Sequence, residues 1–423
     1  MVNTQDNKEK VIKIANIILD RFNNRANNEK DKIDFMSAPE NEQLIISMAR
    51  TYNYLATNYP EKLDVDSVEG MDRIEKQLQK PKPTTLADLY LDRLLLNFKH
   101  LEWTSGDTSK GEVQPNNATV LFNLSSIDRQ INKWFNIYIL HQKDYRDILQ
   151  NNSEQISVNL RNKIFIHEFA HCSASANFGD GCGFYEGDKN KTYCSRLEEI
   201  MAEKIALDVT EQKIPARKEL KLQDGTQYRV VGYNPESSNF NTSSFIELIP
   251  FALGEKDIMV GRMSNPKAYM EKLNTKYQML SDKNKTFAQT LNDDLRDITD
   301  KNDIEKLIKW QANFLEIGRR RLNSTQYLNN CSEQEFIKDT TILLRSKPML
   351  CVKGQNNQTI ETRNKKILDL ALRDIGNNFN ALKERRKMFK NYQDFEALKQ
   401  ALSEEIKESN LQSLGVQYKP LTQ

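Results

Sequence analysis

The sequence predicts an α+β fold that is predominantly helical, and three observations carry that expectation. Apolar residues recur at helical spacing toward both ends of the chain, as in "NEQLIISMARTYNYLATNY" at 41–59. A β-branched and apolar run of strand length, "TVLFNL", stands at 119–124. A hairpin is signalled by "KELKLQ" and "TQYRVVGY" on either side of Asp224-Gly225, a pair suited to the positive φ angles of a tight turn.

Taken in order, residues 1 to about 100 alternate helical patterns with polar breaks, the clearest being "TLADLYLDRLLLNF" at 85–98. The polar, Gly- and Asn-containing stretch 104–118 ends that pattern before the run at 119–124, and a helix is expected from Ser125, with Asp128 as a capping signal. Residues 152–174, "NSEQISVNLRNKIFIHEFAHCSA", read as one long helix. The stretch 175–193 has four glycines and little periodicity, so a loop is expected there. Helical spacing resumes at 195–212 through Leu197, Ile200, Met201, Ile205 and Leu207. Beyond about 255 the chain reads as helices, with starts at Asn265-Pro266 and at Ser332-x-x-Glu335.

With 423 residues and 38% hydrophobic content, the chain can build ordinary globular cores. Its 61 basic and 59 acidic residues nearly cancel, so no global field favours nucleic acid or an anionic membrane. The basic runs Arg319-Arg320-Arg321 and "KERRK" at 383–387 are read as solvated helix faces. No membrane span is expected, since the most apolar segment, "FIELIPFAL" at 245–253, is short and broken by Glu247 and Pro250. The N-terminus places charged residues before an amphipathic helix and does not read as a signal peptide. A cytoplasmic location, or export by a route without a signal peptide, is the expectation. Five cysteines do not make a disulfide framework, which points to a reducing compartment.

The chemistry is concentrated in "IFIHEFAHC", residues 164–172. Histidines four apart share a helix face, so His167 and His171 can aim both imidazoles at one ion. Glu168 sits about 100° further round, able to meet a water rather than complete the same ligand set. A charged Glu168 among large apolar neighbours is costly unless a cation compensates it. A catalytic Zn2+ needs a third protein ligand. A histidine six residues after His171 would mark one large class, but Asn177 stands there. His100 and His141 lie upstream with no motif around them. Carboxylates remain, and "LEEIMAE" at 197–203 supplies Glu199 and Glu203 on one face of the next helix. Glu199 is expected as the metal ligand and Glu203 as acceptor of a ligating histidine's free N–H. Asp180 is a rival third ligand, and a structural zinc site in a non-catalytic helical binding protein is the rival function.

With "HEFAH" followed by "EIMAE", the sequence resembles the gluzincin metallopeptidases, and among them the catalytic domains of the anthrax lethal factor type. The resemblance covers residues 164–212. It implies zinc-dependent hydrolysis of a protein or peptide substrate, a zincin-like core with an active-site helix and a small sheet, and Glu168 as the catalytic base. It also implies that Tyr193, with Tyr185 as substitute, donates to the developing oxyanion. The run 119–124 is a candidate edge strand for pairing with substrate. Cys172, Cys182 and Cys194 crowd this region and are read as small buried or loop thiols, with a Cys182–Cys194 bridge as the alternative in an oxidising setting. The expected organisation is a helical region at 1–103, the catalytic core at 104–254 and a second helical region at 255–423. A bacterial toxin or secreted effector acting on a host protein is the biological setting the likeness implies.

Overall fold

The computed structural model describes residues 4–25, 39–79, 82–98, 100–103, 111–114, 119–122, 125–129, 153–174, 184, 194–210, 216–221, 227–232, 245–301, 303–349, 352–353 and 358–412. Helix accounts for 84% of the interpretable chain, so the fold class is all-α and the expected α+β class is corrected. The physical reason is length. The strand segments are two to six residues long, pair in the orders 1-3-2 and 4-5-6, and are a minor share beside helices of up to 29 residues.

The first ladder comprises β1 (His100–Trp103), β2 (Gly111–Gln114) and β3 (Thr119–Phe122). β3 lies in the middle, parallel to β1 and antiparallel to β2. Both of its backbone edges are therefore taken, which corrects the reading of 119–124 as an edge strand open to substrate. In the second ladder, β4 (Ala216–Lys221) and β5 (Gln227–Gly232) pair antiparallel from Lys221 opposite Gln227, and β5 also pairs with β6 (Val352–Lys353).

The chain divides into two compact units, each assembled from separate segments. The first contains residues 1–133, 154–211 and 259–292. Here α1 (Thr4–Arg25) and α2 (Pro39–Asn58) pack together, α1 burying Val11, Ala15 and Ile18 on one stripe. The short α3 (Met71–Leu78) packs on α4 (Leu86–Asn97). Thr85 and Asp88 close a reciprocal capping box at the start of α4, and Asp92, Arg93 and Asn97 are buried with its apolar residues. The two site helices are α5 (Ser153–Ala174) and α6 (Ser195–Thr210). Ile164, Phe165, Ile166, Phe169 and Ala170 of α5 are buried, and so are Leu197, Ile200, Met201, Ile205 and Leu207 of α6. The Phe122 ring packs 4.7 Å from Phe165 and 6.0 Å from Phe169, between centroids.

The second unit contains 134–153, 212–258 and 293–423. The most apolar segment forms α7 (Phe245–Leu253), wholly buried. Then follow α8 (Glu255–Ser264), α9 (Pro266–Lys276) and α10 (Phe287–Asp300), which run across the division or belong to the first unit. Asn265 caps α9 by accepting from the Ala268 N–H at 2.9 Å, with Pro266 in the first turn, as its sequence signal predicts. α11 (Ile304–Leu322) packs on α7 where Gly318 meets Phe251 so closely that a Cβ would stand 2.0 Å from the ring. Any larger residue forces those helices apart. After α12 (Thr325–Asn330), α13 (Glu333–Met349) begins with the expected capping box: Ser332 N–H donates to Glu335 at 2.8 Å and Glu335 N–H donates to Ser332 Oγ at 3.1 Å. α14 (Gln358–Arg386) and α15 (Phe395–Gln412) pack on α13 and complete the unit. Of the arginine run, Arg319 and Arg320 pair with Glu316, whereas Arg321 turns inward to Asp339 rather than to solvent.

Candidate metal centre

Helix α5 brings His167 and His171 onto one face, with the rings 4.8 Å apart and their Nε2 atoms 3.2 Å apart. Helix α6 carries Glu199 against them, its carboxylate 3.3 Å from His167 Nε2 and 3.7 Å from His171 Nε2. One ligand atom from each of the three residues lies within 4.8 Å of the others. This is the trio the sequence singles out.

The other nitrogen of each ring is also engaged. His171 Nδ1 stands 3.0 Å from Glu198, and His167 Nδ1 stands 3.3 Å from Glu203. A carboxylate only accepts, so Glu198 and Glu203 can each hold a proton on Nδ1, the tautomer that would leave Nε2 free for a metal; in the metal-free chain the 3.2 Å contact between the two Nε2 atoms, with Glu199 beside it, needs a proton on one of them. Glu203 therefore takes the position expected of it, and Glu198 is a carboxylate that the sequence reading did not assign. Behind each carboxylate stands a cation. Lys163 donates to Glu203 at 2.7 Å. Arg262 of α8 donates from Nε to Glu198 Oε2 at 2.9 Å and from Nη2 to Oε1.

Electrostatics follow from this arrangement. Burial pushes Glu198 and Glu203 toward higher pKa, but Arg262 with His171 and Lys163 with His167 overcome it and hold both near about 2. Glu199 is held well below the usual carboxylate range, chiefly because His167 and His171 outweigh its burial. For His167, burial disfavours the charge, yet Glu199 and Glu203 raise it to about 9. With Glu168, four carboxylates meet two cationic side chains, so neutral imidazoles leave the cluster short by about two positive charges. In the metal-free chain a proton on His167 supplies part of that deficit, and a divalent cation would supply all of it. Two imidazoles and a carboxylate form the donor set zinc takes. Glu199 is 54% exposed, leaving the approach to this point open on one side, while His171 is only 9% exposed.

The ends of the site helices are held from outside. The last four carbonyls of a helix have no partner within it, and at the end of α5 two are taken by α4. Asn97 donates to Cys172 O at 2.8 Å, and Arg93 donates to Ala174 O at 3.3 Å. Cys172 and Cys194 are buried in this packing, as their reading as small thiols predicts. Cys194 N–H donates to Phe184 O and Phe184 N–H donates to Glu198, both at 3.1 Å. Tyr193, Tyr185, Asp180, Cys182 and His141 lie outside the described residues. Glu168 is half-buried on α5, and its charge is among those that raise His167.

Among the described residues, no helix is long and apolar enough to cross a membrane. No family model, curated protein or solved structure matches the chain.

Proposed function

We propose that the chain is a zinc-dependent peptidase whose centre is His167, His171 and Glu199. The observation that carries this reading is the pairing of each imidazole Nδ1 with a buried carboxylate, which turns both Nε2 atoms toward Glu199. The residues fit the metal in donor type and in charge. His167 Nε2, His171 Nε2 and a Glu199 oxygen would hold it. Bound zinc supplies Lewis acidity toward a carbonyl and lowers the pKa of water.

The chain's own residues do the rest. Glu203 and Glu198 fix the tautomers of His167 and His171. The Glu168 carboxylate accepts a proton from the attacking water and delivers it to the leaving amine nitrogen. A purely structural site has no use for that base, so Glu168 separates this proposal from a non-catalytic zinc scaffold. Glu168→Gln is expected to lower peptide turnover by roughly a hundredfold or more while zinc content stays at the wild-type level. A mixed peptide library, followed by mass spectrometry, reads turnover without a known substrate. Undiminished cleavage in the variant would overturn the assignment.

A further inference from the structure

Two relays of cation, carboxylate and imidazole converge on the site, and they are not equivalent. On the His167 side, Lys163 meets Glu203 through one ammonium, with side chains 6% and 14% exposed. On the His171 side, Arg262 and Glu198 are 0% and 2% exposed, and the guanidinium reaches both carboxylate oxygens. Glu198 is then saturated, since His171 Nδ1, two Arg262 nitrogens and the Phe184 N–H all donate to it. The same guanidinium donates to Ala170 O at 3.0 Å, on the turn that carries His171. Arg262 thus fixes both the carboxylate that orients the ring and the backbone beneath that ring. A planar fork held at this many points has one geometry, whereas a single ammonium tolerates several.

We infer that Arg262 is the positioning residue of the centre, holding His171 through Glu198 as the fixed ligand, while Glu203 and Lys163 leave His167 as the adjustable one. This rests on the metal reading proposed above. The hydrogen bonds of Arg262 go to Glu198 and to the Ala170 carbonyl, not to a ligand atom or to Glu168, so its effect passes through that carboxylate and the backbone beneath His171. Loss of the fork would free the His171 ring to exchange tautomers and turn its Nε2 away from the point it shares with His167 and Glu199.

The test uses the full-length chain. Zinc affinity is measured by chelator competition, and the imidazole tautomers of the metal-free protein are read by 15N NMR, which four histidines keep tractable. Wild type is expected to show one histidine locked with its proton on Nδ1 and assigned to His171 by its loss in His171→Gln. Arg262→Met is expected to weaken zinc binding roughly 10- to 100-fold and to release that tautomer, with Arg262→Lys between the two. Lys163→Met is expected to leave the His171 signal in place. A folded Arg262→Met with wild-type zinc affinity and an unchanged His171 signal would overturn the inference. If Arg262→Met does not fold, Arg262→Lys and Glu198→Gln decide: wild-type affinity and tautomer in both would equally overturn it. A wild type that takes up no zinc but whose His171 tautomer is released in Arg262→Met would support the relay and overturn the peptidase proposal instead.

Discussion

Around Arg321, donors and acceptors match. Its guanidinium donates to Asp339 at 2.6 Å and to Phe251 O at 2.8 Å, and Tyr327 donates to the second Asp339 oxygen at 2.8 Å. Its carbon also lies 4.9 Å from the centre of the Tyr327 ring, a cation–π contact. Around His167 and His171 the balance differs: two imidazole Nε2 atoms and a carboxylate crowd one point, and among the described residues Lys163 and Arg262 stand behind the outer carboxylates. The first cluster is closed and needs nothing further. The second carries more carboxylates than cationic side chains, a balance that the proposed metal would restore.

Breaking the two clusters should therefore have opposite consequences. The largest effect is expected at the centre: His171→Ala or Glu199→Ala should weaken zinc binding by roughly a thousandfold, about 4 kcal/mol. Metal-free stability should respond the other way. Asp339→Ala strands a half-buried guanidinium and should cost about 2 kcal/mol in urea unfolding, with zinc affinity unchanged. Glu199→Gln, which removes one acceptor from a surplus on a half-exposed side chain, should change metal-free stability by no more than about 1 kcal/mol. Equal losses in both variants would erase the distinction.

The pH dependence sharpens the same contrast. Glu198 and Glu203 are depressed to about 2, so their contribution to metal-free stability is present above the ordinary glutamate range and lost as pH falls toward about 2. His167 is raised to about 9, so its contribution is present below its ordinary value near 6.5 and lost as pH rises through about 9. Zinc must displace that proton, so the zinc-induced rise in Tm is expected to be smaller at pH 6 than at pH 9. Calorimetry at the two values checks this. The smallest effect expected is at a cap away from either cluster: Ser332→Ala should cost about 1 kcal/mol and leave zinc binding alone.

Much of the centre was legible because spacing on a helix is geometry. His167 with His171, and Glu199 with Glu203, are each four apart, and each pair lies on one face. Glu198 was passed over because it adjoins Glu199 and so points elsewhere on α6. The signal was present: with Leu197, Ile200, Met201 and Ile205 also buried, that helix is enclosed on several sides, and a charge between them must face a partner. Arg262 carries no local signature. Only the tertiary fold brings α8 to the back of the site.

Elsewhere, caps were readable and class was not. Asn265, Ser332 and Glu335 act through neighbours three residues away, so local sequence suffices. Within the run at 119–124, Thr119–Phe122 do pair as a strand, but their partners "HLEW" and "GEVQ" offer no strong alternation. Neither its central position nor the minor weight of the ladders beside the helices could be read from it.

The central claim is that the cluster on α5 and α6 is a metal centre. Zinc per chain, measured by elemental analysis in purified wild type beside Glu199→Ala, tests it most directly. One zinc per wild-type chain and a sharp loss in the variant are expected, with both chains folded. Wild-type protein that stays free of zinc when it is offered would contradict it.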